Sequence, residues 1–165
     1  MVDVRKAINS DSLQIIAVMK NAEESGLMLF SPGERSVNSE AFAKYIDSIN
    51  ATTTSGLFVA IENEQILGYM IVQNDKPMRV THRGYLVIGV HSDSRGKGVG
   101  KALFTYILEW AKQVELHRLD LTVITTNEAA VNLYKKIGFE IEGIKRDSLL
   151  IDGEYVDEYY MSILI

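Results

Sequence analysis

Between Arg95 and Lys101 the chain reads RGKGVGK, alternating three glycines with cationic or small residues. Small residues let backbone amides approach an anion closely. Where a helix follows, its unpaired N–H groups and positive dipole end favour a phosphate. Spacing excludes two familiar phosphate loops. A dinucleotide-binding G-x-G-x-x-G turn sits tight against its strand, whereas here the pattern is Gly96-x-Gly98-x-Gly100 and His91 to Ser94 intervene. A Walker A loop needs glycine where Arg95 stands and Ser or Thr after its lysine, where Ala102 stands, so no hydroxyl is available for a magnesium ion. What remains is a pyrophosphate held by backbone amides with Arg95, Lys97 and Lys101 beside it. The glycines by themselves are also those of an exposed helix start with solubilising lysines.

A second group runs from Asn127 to Phe139, NEAAVNLYKKIGF. Asn127 is a good cap residue and Thr125-x-x-Glu128 has the form of a capping box, so this is a helix start whether or not Asn127 also meets a ligand. Tyr134 follows Asn127 by two helical turns, which puts both on one face. The chain has no cysteine and no G-x-S-x-G elbow, leaving an acyl-enzyme without an evident nucleophile. His82, His91 and His117 do not have metal-ligand spacing, and no metal is expected.

Taken together, VIGVHSDSRGKGVGKAL, LDLTV and TNEAAVNLYKKIGFE resemble the GNAT superfamily of N-acetyltransferases, whose pattern is R/Q-x-x-G-x-G/A followed by N-x-x-a-x-x-L-Y-x-k-x-G-F. Here these positions are Arg95, Gly98 and Gly100, then Asn127, Leu133, Tyr134, Gly138 and Phe139. The likeness is specific from about Ile88 to Gly143, looser in the C-terminal hairpin, and before residue 80 rests on element order. It implies an α/β (α+β) mixed sheet, splayed and seven-stranded, flanked by helices, with acetyl-CoA in the gap between the fourth and fifth strands. By the same resemblance, the backbone of Ile88, Gly89 and Val90 would pair with the pantetheine arm. Arg95, Gly96, Lys97, Gly98, Val99, Gly100 and Lys101 would hold the pyrophosphate, and Asn127 would lie beside the cofactor. Tyr134 would be the general acid that protonates the departing thiolate, a reasonable pairing of intrinsic pKa values of about 10 and 8 to 9. The Val90 N–H would polarise the thioester carbonyl.

The implied activity is transfer of acetyl from acetyl-CoA to a primary amine of a small molecule or peptide, by direct attack in a ternary complex. The alternative is a GNAT-like module that binds acyl-CoA as a sensor or partner without turnover. The chain departs from members that carry a glutamate base in the fourth or fifth strand, because the matching positions are Gly84 and Thr122. Glu34, His91, Asp152, Glu154 and Asp157 are the remaining base candidates, each also at home as a solvated loop residue or turn former. Glu34, Asp147, Asp152, Glu154, Asp157 and Glu158 would make the acceptor end acidic and attractive to a cationic amine.

These groups must be carried by alternating strands and helices. Val2 to Ile8 reads as an edge strand, and Ser10 or Asp11 as the cap of a helix with Leu13, Ile16, Ala17 and Met19 on its apolar face. A loop over Leu27 to Ser36 leads to a helix over Ser39 to Ile49. Strands over Leu57 to Ile61 and Ile66 to Gln73 form a hairpin at Glu62 to Gln65. Tyr85 to Val90 has the continuous apolar character of a central strand. A helix over Gly98 to Val114, a strand over Leu119 to Ile124 and a helix over Asn127 to Ile137 precede a hairpin of Phe139 to Ile151 and Tyr155 to Leu164, turning at Asp152-Gly153.

The composition, 47% hydrophobic with two prolines, suits one globular domain over residues 1–165. A net charge of -5 argues against an extended nucleic-acid footprint but not against one small anionic cofactor. No apolar stretch long enough to span a membrane and no signal-peptide pattern occurs, so a cytoplasmic protein is expected, with a second copy of the chain as a candidate partner.

Overall fold

Turn chemistry sets the hairpins. Asn63 and Glu64, between β2 (Gly56–Glu62) and β3 (Gln65–Asn74), have φ of 49° and 64°. Asp152 and Gly153, between β6 (Glu140–Ile151) and β7 (Glu154–Leu164), have φ of 50° and 80°. Both are two-residue left-handed turns, whose twist matches that of the strands they join. With β1 (Asp3–Lys6), β4 (Arg83–Val90) and β5 (Arg118–Ile124) they complete a seven-stranded sheet ordered β1-β2-β3-β4-β5-β7-β6. The computed structural model describes residues 1–165.

Every neighbouring pair is antiparallel except β4 and β5. Their parallel ladder holds only at Arg83–Arg118, Gly84–Leu119 and Tyr85–Asp120. Beyond those residues the strands separate, and the mixed, splayed sheet is the one expected.

Helices cover both faces of its first half. On one, α1 (Ser12–Glu23) and α2 (Ser39–Asn50) bury Ile15, Met19, Phe42 and Ile46 against Leu57, Val59 and Tyr69. On the other, α3 (Val99–Gln113) and α4 (Glu128–Ile137) close over Phe58, Met70, Val72 and Leu86. Strand alternation assigns these side chains, with Leu57 and Val59 to one face and Phe58 and Ala60 to the other, so β2 is apolar from Leu57 to Ile61. Phe104 joins the layers of the second core, its ring centroid 5.6 Å from Tyr134 and 5.5 Å from Phe139, both edge-on. Gly138, at φ 119°, ends α4 with its N–H turned back to Tyr134 and Lys135.

The first helix differs from its expected form. Residues Asn9–Asp11 make a 3-10 turn, α1 begins at Ser12, and neither Ser10 nor Asp11 caps it through its side chain. The buried stripe is Ile15, Ile16, Val18, Met19 and Ala22, while Leu13 is 72% exposed and Ala17 also faces solvent. Packing against both the sheet and α2 selects this wider stripe, which periodicity alone leaves open by one position. The first strand likewise stops at Lys6, since Ile8 is drawn into the turn. Asp11 serves the turn instead: its carboxylate accepts Arg5 Nη1 at 2.7 Å and Nη2 at 3.0 Å and the Ile8 N–H at 2.8 Å.

Burial pushes the Asp11 carboxyl up, but the bonds from Arg5 and Ile8 more than offset this and hold it below its ordinary value. A depressed folded pKa contributes stability that is complete above the unfolded value of about 4 and is lost as pH falls through the folded one. Asp11→Ala is expected to cost about 2 kcal/mol at pH 7, lowering Tm by about 4 to 8 °C in calorimetry. The difference from wild type should narrow toward about pH 3 as the native carboxylate is protonated.

Candidate active site

The glycine loop is shaped by backbone geometry. Gly96 and Gly98 have φ of 73° and 82°, and a Cβ at either would meet nothing within 4 Å, so the space beside both is open. The backbone N–H groups of Gly96, Lys97, Gly98, Val99, Gly100 and Lys101 donate to no protein acceptor; the first paired amide is Ala102, bonded to the Gly98 carbonyl at 3.0 Å. Arg95, Lys97 and Lys101 make no ion pair. A run of free amides ending on a helix N-terminus, with unpaired cations around it, fits a pyrophosphate. Gly100 has a different reason to be small: a Cβ there would lie 2.9 Å from Leu133 Cδ2, so it lets α4 close on α3.

Strand geometry decides what β4 offers. The His91 N–H bonds the Leu67 carbonyl at 2.8 Å, and Tyr69 pairs with Gly89 in register. Alternation then turns the amides and carbonyls of Tyr85, Val87 and Gly89 to β3, and those of Ile88 and Val90 toward the gap where β5 has departed. The structure thus brings Ile88 and Val90 to the gap but spends the Gly89 backbone on β3. Gly89 matters by lacking a side chain: a Cβ would fall 2.4 Å from the Tyr69 ring and 2.8 Å from its hydroxyl oxygen.

Tyr134 is only 7% exposed, on the α3/α4 side of the sheet. Its hydroxyl has no protein hydrogen-bond partner, yet its oxygen is not sealed from solvent. Burial, reinforced by the nearby Tyr85, pushes its pKa up to about 12. The Tyr85 hydroxyl bonds Thr122 Oγ1 at 2.9 Å, bridging β4 and β5 where their ladder ends. Asn127 caps α4, with Oδ1 3.4 Å from the Ala130 N–H and its amide nitrogen left without a protein partner; Thr125 does not form the cap.

Neither Gly84 nor Thr122 can supply a base, and Gly84 has no room for a side chain, since a Cβ would lie 2.8 Å from Val72 Cγ1. Asp157 accepts the Asp147 N–H at 2.8 Å and Glu158 accepts the Ser148 hydroxyl at 2.5 Å, and both bonds hold the irregular stretch of β6 between Lys145 and Leu149. His91 Nδ1 accepts the Asp93 N–H at 3.2 Å within its own turn. Glu34, in the loop after α1, Asp152, in the β6–β7 turn, and Glu154, at the start of β7, are all exposed. Below the β4–β5 junction lies a cavity of about 670 Å³, lined by Arg83, Tyr85, Arg118, Asp120, Thr122 and Glu142 among others, in which Arg118 pairs with both Asp120 and Glu142 at 2.6 Å.

Sequence reasoning missed Glu23 and Tyr69. Glu23 ends α1, is 3% exposed, and pairs with Arg35. Its readable signal is position, because Ile16, Met19 and Glu23 follow helical spacing and set a carboxylate on an apolar face.

The sequence pattern of the acetyltransferase (GNAT) family matches residues 24–139. Over 105 residues the chain is 35% identical to the L-amino acid N-acetyltransferase AaaT of Escherichia coli (strain K12), an alignment spanning 63% of this chain and 65% of that relative. The acetyltransferase of GNAT family from Streptococcus pneumoniae, 29% identical, superposes with a TM-score of 0.95 over 100% of both chains. A GNAT superfamily phosphinothricin acetyltransferase from Sinorhizobium meliloti, solved in complex with acetyl-CoA, shares the fold at 17% identity, with a TM-score of 0.87 over 99% of this chain and 88% of that one.

Valine at position 98 would be strained at φ 82° and would occupy the open space beside the loop amides. Gly98→Val is expected to weaken acetyl-CoA binding by about tenfold or more in calorimetry, at a strain cost of about 1 to 2 kcal/mol. Unchanged affinity in a folded variant would remove the loop from the cofactor site.

Proposed function

Because the chain belongs to the acetyltransferase (GNAT) family, we propose that it moves the acetyl group of acetyl-CoA to a primary amine of a small molecule or peptide, by direct attack within one ternary complex. The observation that carries this reading is a combination. The backbone groups of Ile88 and Val90 face the gap that β5 leaves, Tyr134 with its unpartnered hydroxyl belongs to the core cluster on which these two residues pack, and the loop that follows β4 carries a run of unpaired amides.

Bound acetyl-CoA supplies an activated acyl group. The amides from Gly96 to Lys101, with Arg95, Lys97 and Lys101, hold its pyrophosphate. Ile88 and Val90 exchange backbone hydrogen bonds with the pantetheine amides, and Gly89 between them leaves room for the Tyr69 ring. The free side-chain nitrogen of Asn127 is available as a further donor at the mouth of the gap. The Val90 N–H donates to the thioester oxygen as negative charge develops there. Holding both reactants in one cleft supplies much of the remaining acceleration.

The Tyr134 hydroxyl, raised to about 12, stays protonated throughout the neutral range and can donate at the departing sulfur. The same desolvation raises the basicity of a thiolate leaving into this gap, so donor and acceptor remain matched. With no cysteine in the chain, an acyl-enzyme has no thiol to form on. The name of the Escherichia coli relative makes L-amino acids the first acceptors to try. The cytoplasm, with its pool of acetyl-CoA, is the compartment that accompanies this reading.

Thiol release from acetyl-CoA, followed with a panel of L-amino acids, peptides with free N-termini and alkylamines, tests the activity. Absence of any amine-dependent release would favour a module that binds acyl-CoA without turnover. Tyr134→Phe removes one oxygen and keeps the ring's contact with Phe104, so kcat is expected to fall about tenfold or more, with acetyl-CoA affinity and Tm nearly unchanged. A wild-type rate in this variant, with chemistry rate-limiting, would reduce Tyr134 to a packing residue.

A further inference from the structure

The face of β4 opposite Tyr134 carries a second group of polar atoms that the fold leaves unused. Glu23 Oε1 accepts both Nε, at 2.8 Å, and Nη2 of Arg35. The guanidinium of Arg35 lies 4.1 Å over the Phe30 ring, fixing the pair from the loop side. Glu23 Oε2 accepts from no protein donor, although the residue is 3% exposed, and it is not sealed from solvent. Tyr69 is 1% exposed, and its hydroxyl likewise has no protein partner and is not sealed. A carboxylate oxygen and a phenol oxygen on nearly buried residues, without protein partners and within reach of solvent, are groups that a ligand entering from solvent can use.

We infer that Glu23 and Tyr69 form the acceptor-amine site, where Glu23 receives the proton that a primary ammonium must lose before it can attack. The inference rests on the acetyl-transfer reading and supplies the base that Gly84 and Thr122 cannot. Position supports it. The Tyr69 hydroxyl comes within 2.8 Å of where a Gly89 Cβ would be, between Ile88 and Val90 and on the face opposite Tyr134. The end of α1 is pinned to the end of β4, because Asn21 accepts the Ser92 N–H at 2.7 Å and donates to the Ser92 hydroxyl at 3.0 Å. The groups also sense one another: burial pushes the Tyr69 pKa up to about 12, Arg35 pulls it down and Glu23 pushes it further up. Around this pair α2 presents Phe42, Tyr45 and Ile46, and β4 presents Val87 and Gly89. Arg35 and Tyr69 are thus the charged and titratable groups facing Glu23, with Tyr45, its pKa raised by burial, stacked on Phe42.

The ammonium gives one proton to Glu23 Oε2, and the neutral nitrogen forms the C–N bond while the C–S bond breaks. Nitrogen releases a second proton to water as the amide forms. Sulfur leaves with its electron pair and takes the Tyr134 proton, which water restores, and Glu23 returns its proton to solvent.

The test uses the full chain and the amine turned over fastest in the panel, with kcat/KM measured from about pH 6.5 to 10, a range that brackets amine pKa values of about 8 to 10. Wild type should be flat below the amine pKa, because base and ammonium supply the reactive pair together. Glu23→Gln keeps the volume and an oxygen for Arg35. It should be about 100-fold slower at pH 7 and gain about tenfold per pH unit until the amine titrates, with KM for acetyl-CoA unchanged. Glu23→Asp should retain the flat profile at a lower rate. Tyr69→Phe should raise the amine KM about three- to tenfold without altering the profile. Calorimetric titration of the same amine into protein saturated with coenzyme A should show about tenfold weaker binding for Glu23→Gln, a readout independent of turnover.

Parallel pH profiles for wild type and Glu23→Gln, or equal amine affinity, would overturn the inference while leaving acetyl transfer intact. A wild type that releases no thiol with any amine would overturn acetyl transfer itself, and calorimetry would still decide whether Glu23 binds the amine. Should Glu23→Gln fail to fold, an unaltered amine KM in Tyr69→Phe would be sufficient to reject the site.

Discussion

A strand that loses its neighbour halfway along leaves backbone groups in need of another partner, and β4 does this where its ladder with β5 ends at Tyr85 and Asp120. Buried amides and carbonyls are nearly always paired. A parallel pair that opens after three registered positions therefore creates a slot with its own hydrogen-bonding groups on Ile88 and Val90. The slot is held at one end by the Tyr85–Thr122 bond and capped at the other by the amides of the glycine loop. An extended ligand with amides along its length and phosphates at its end satisfies both at once.

The splay also explains why the helices sit where they do. The α3 helix must start directly after the loop to aim its N-terminus at the slot, and the contact of Gly100 with Leu133 lets α4 close beside it. Phe104, Tyr134 and Phe139 then lock α4 through edge-on aromatic packing, leaving the Tyr134 hydroxyl without a protein partner. On the other face Gly89 lets the Tyr69 ring lie across β4, and a second tyrosine oxygen is left without a partner. The strand that would hold the thioester thus has an unsatisfied tyrosine hydroxyl on each side.

Charge is distributed to the same end. Arg95, Lys97 and Lys101 remain unpaired around the glycine loop, while Arg83 and Arg118 of the lower cavity pair with Asp75 and with Asp120 and Glu142, and Arg35 pairs with Glu23. A chain with net charge -5 can therefore attract one compact polyanion without attracting polyanions in general.

Local sequence by itself determined the elements and the loop. The two hairpin turns, the helix starts at Gly98 and Asn127, and the alternation of helix with strand depend on φ preferences, caps and periodicity, which act over a few residues. The glycine loop was legible for the same reason, since an anion cradle is made of consecutive amides. Packing between distant elements set which face of α1 is buried, why Gly89 and Gly100 must be small, and that Asp157 and Glu158 are tied to the backbone or side chains of β6. It also brought Glu23 and Tyr69, 46 positions apart in the chain, close enough for the Glu23 carboxylate to push the Tyr69 pKa up. These are contacts between elements distant in sequence, set by packing across the sheet, and no short-range rule encodes them.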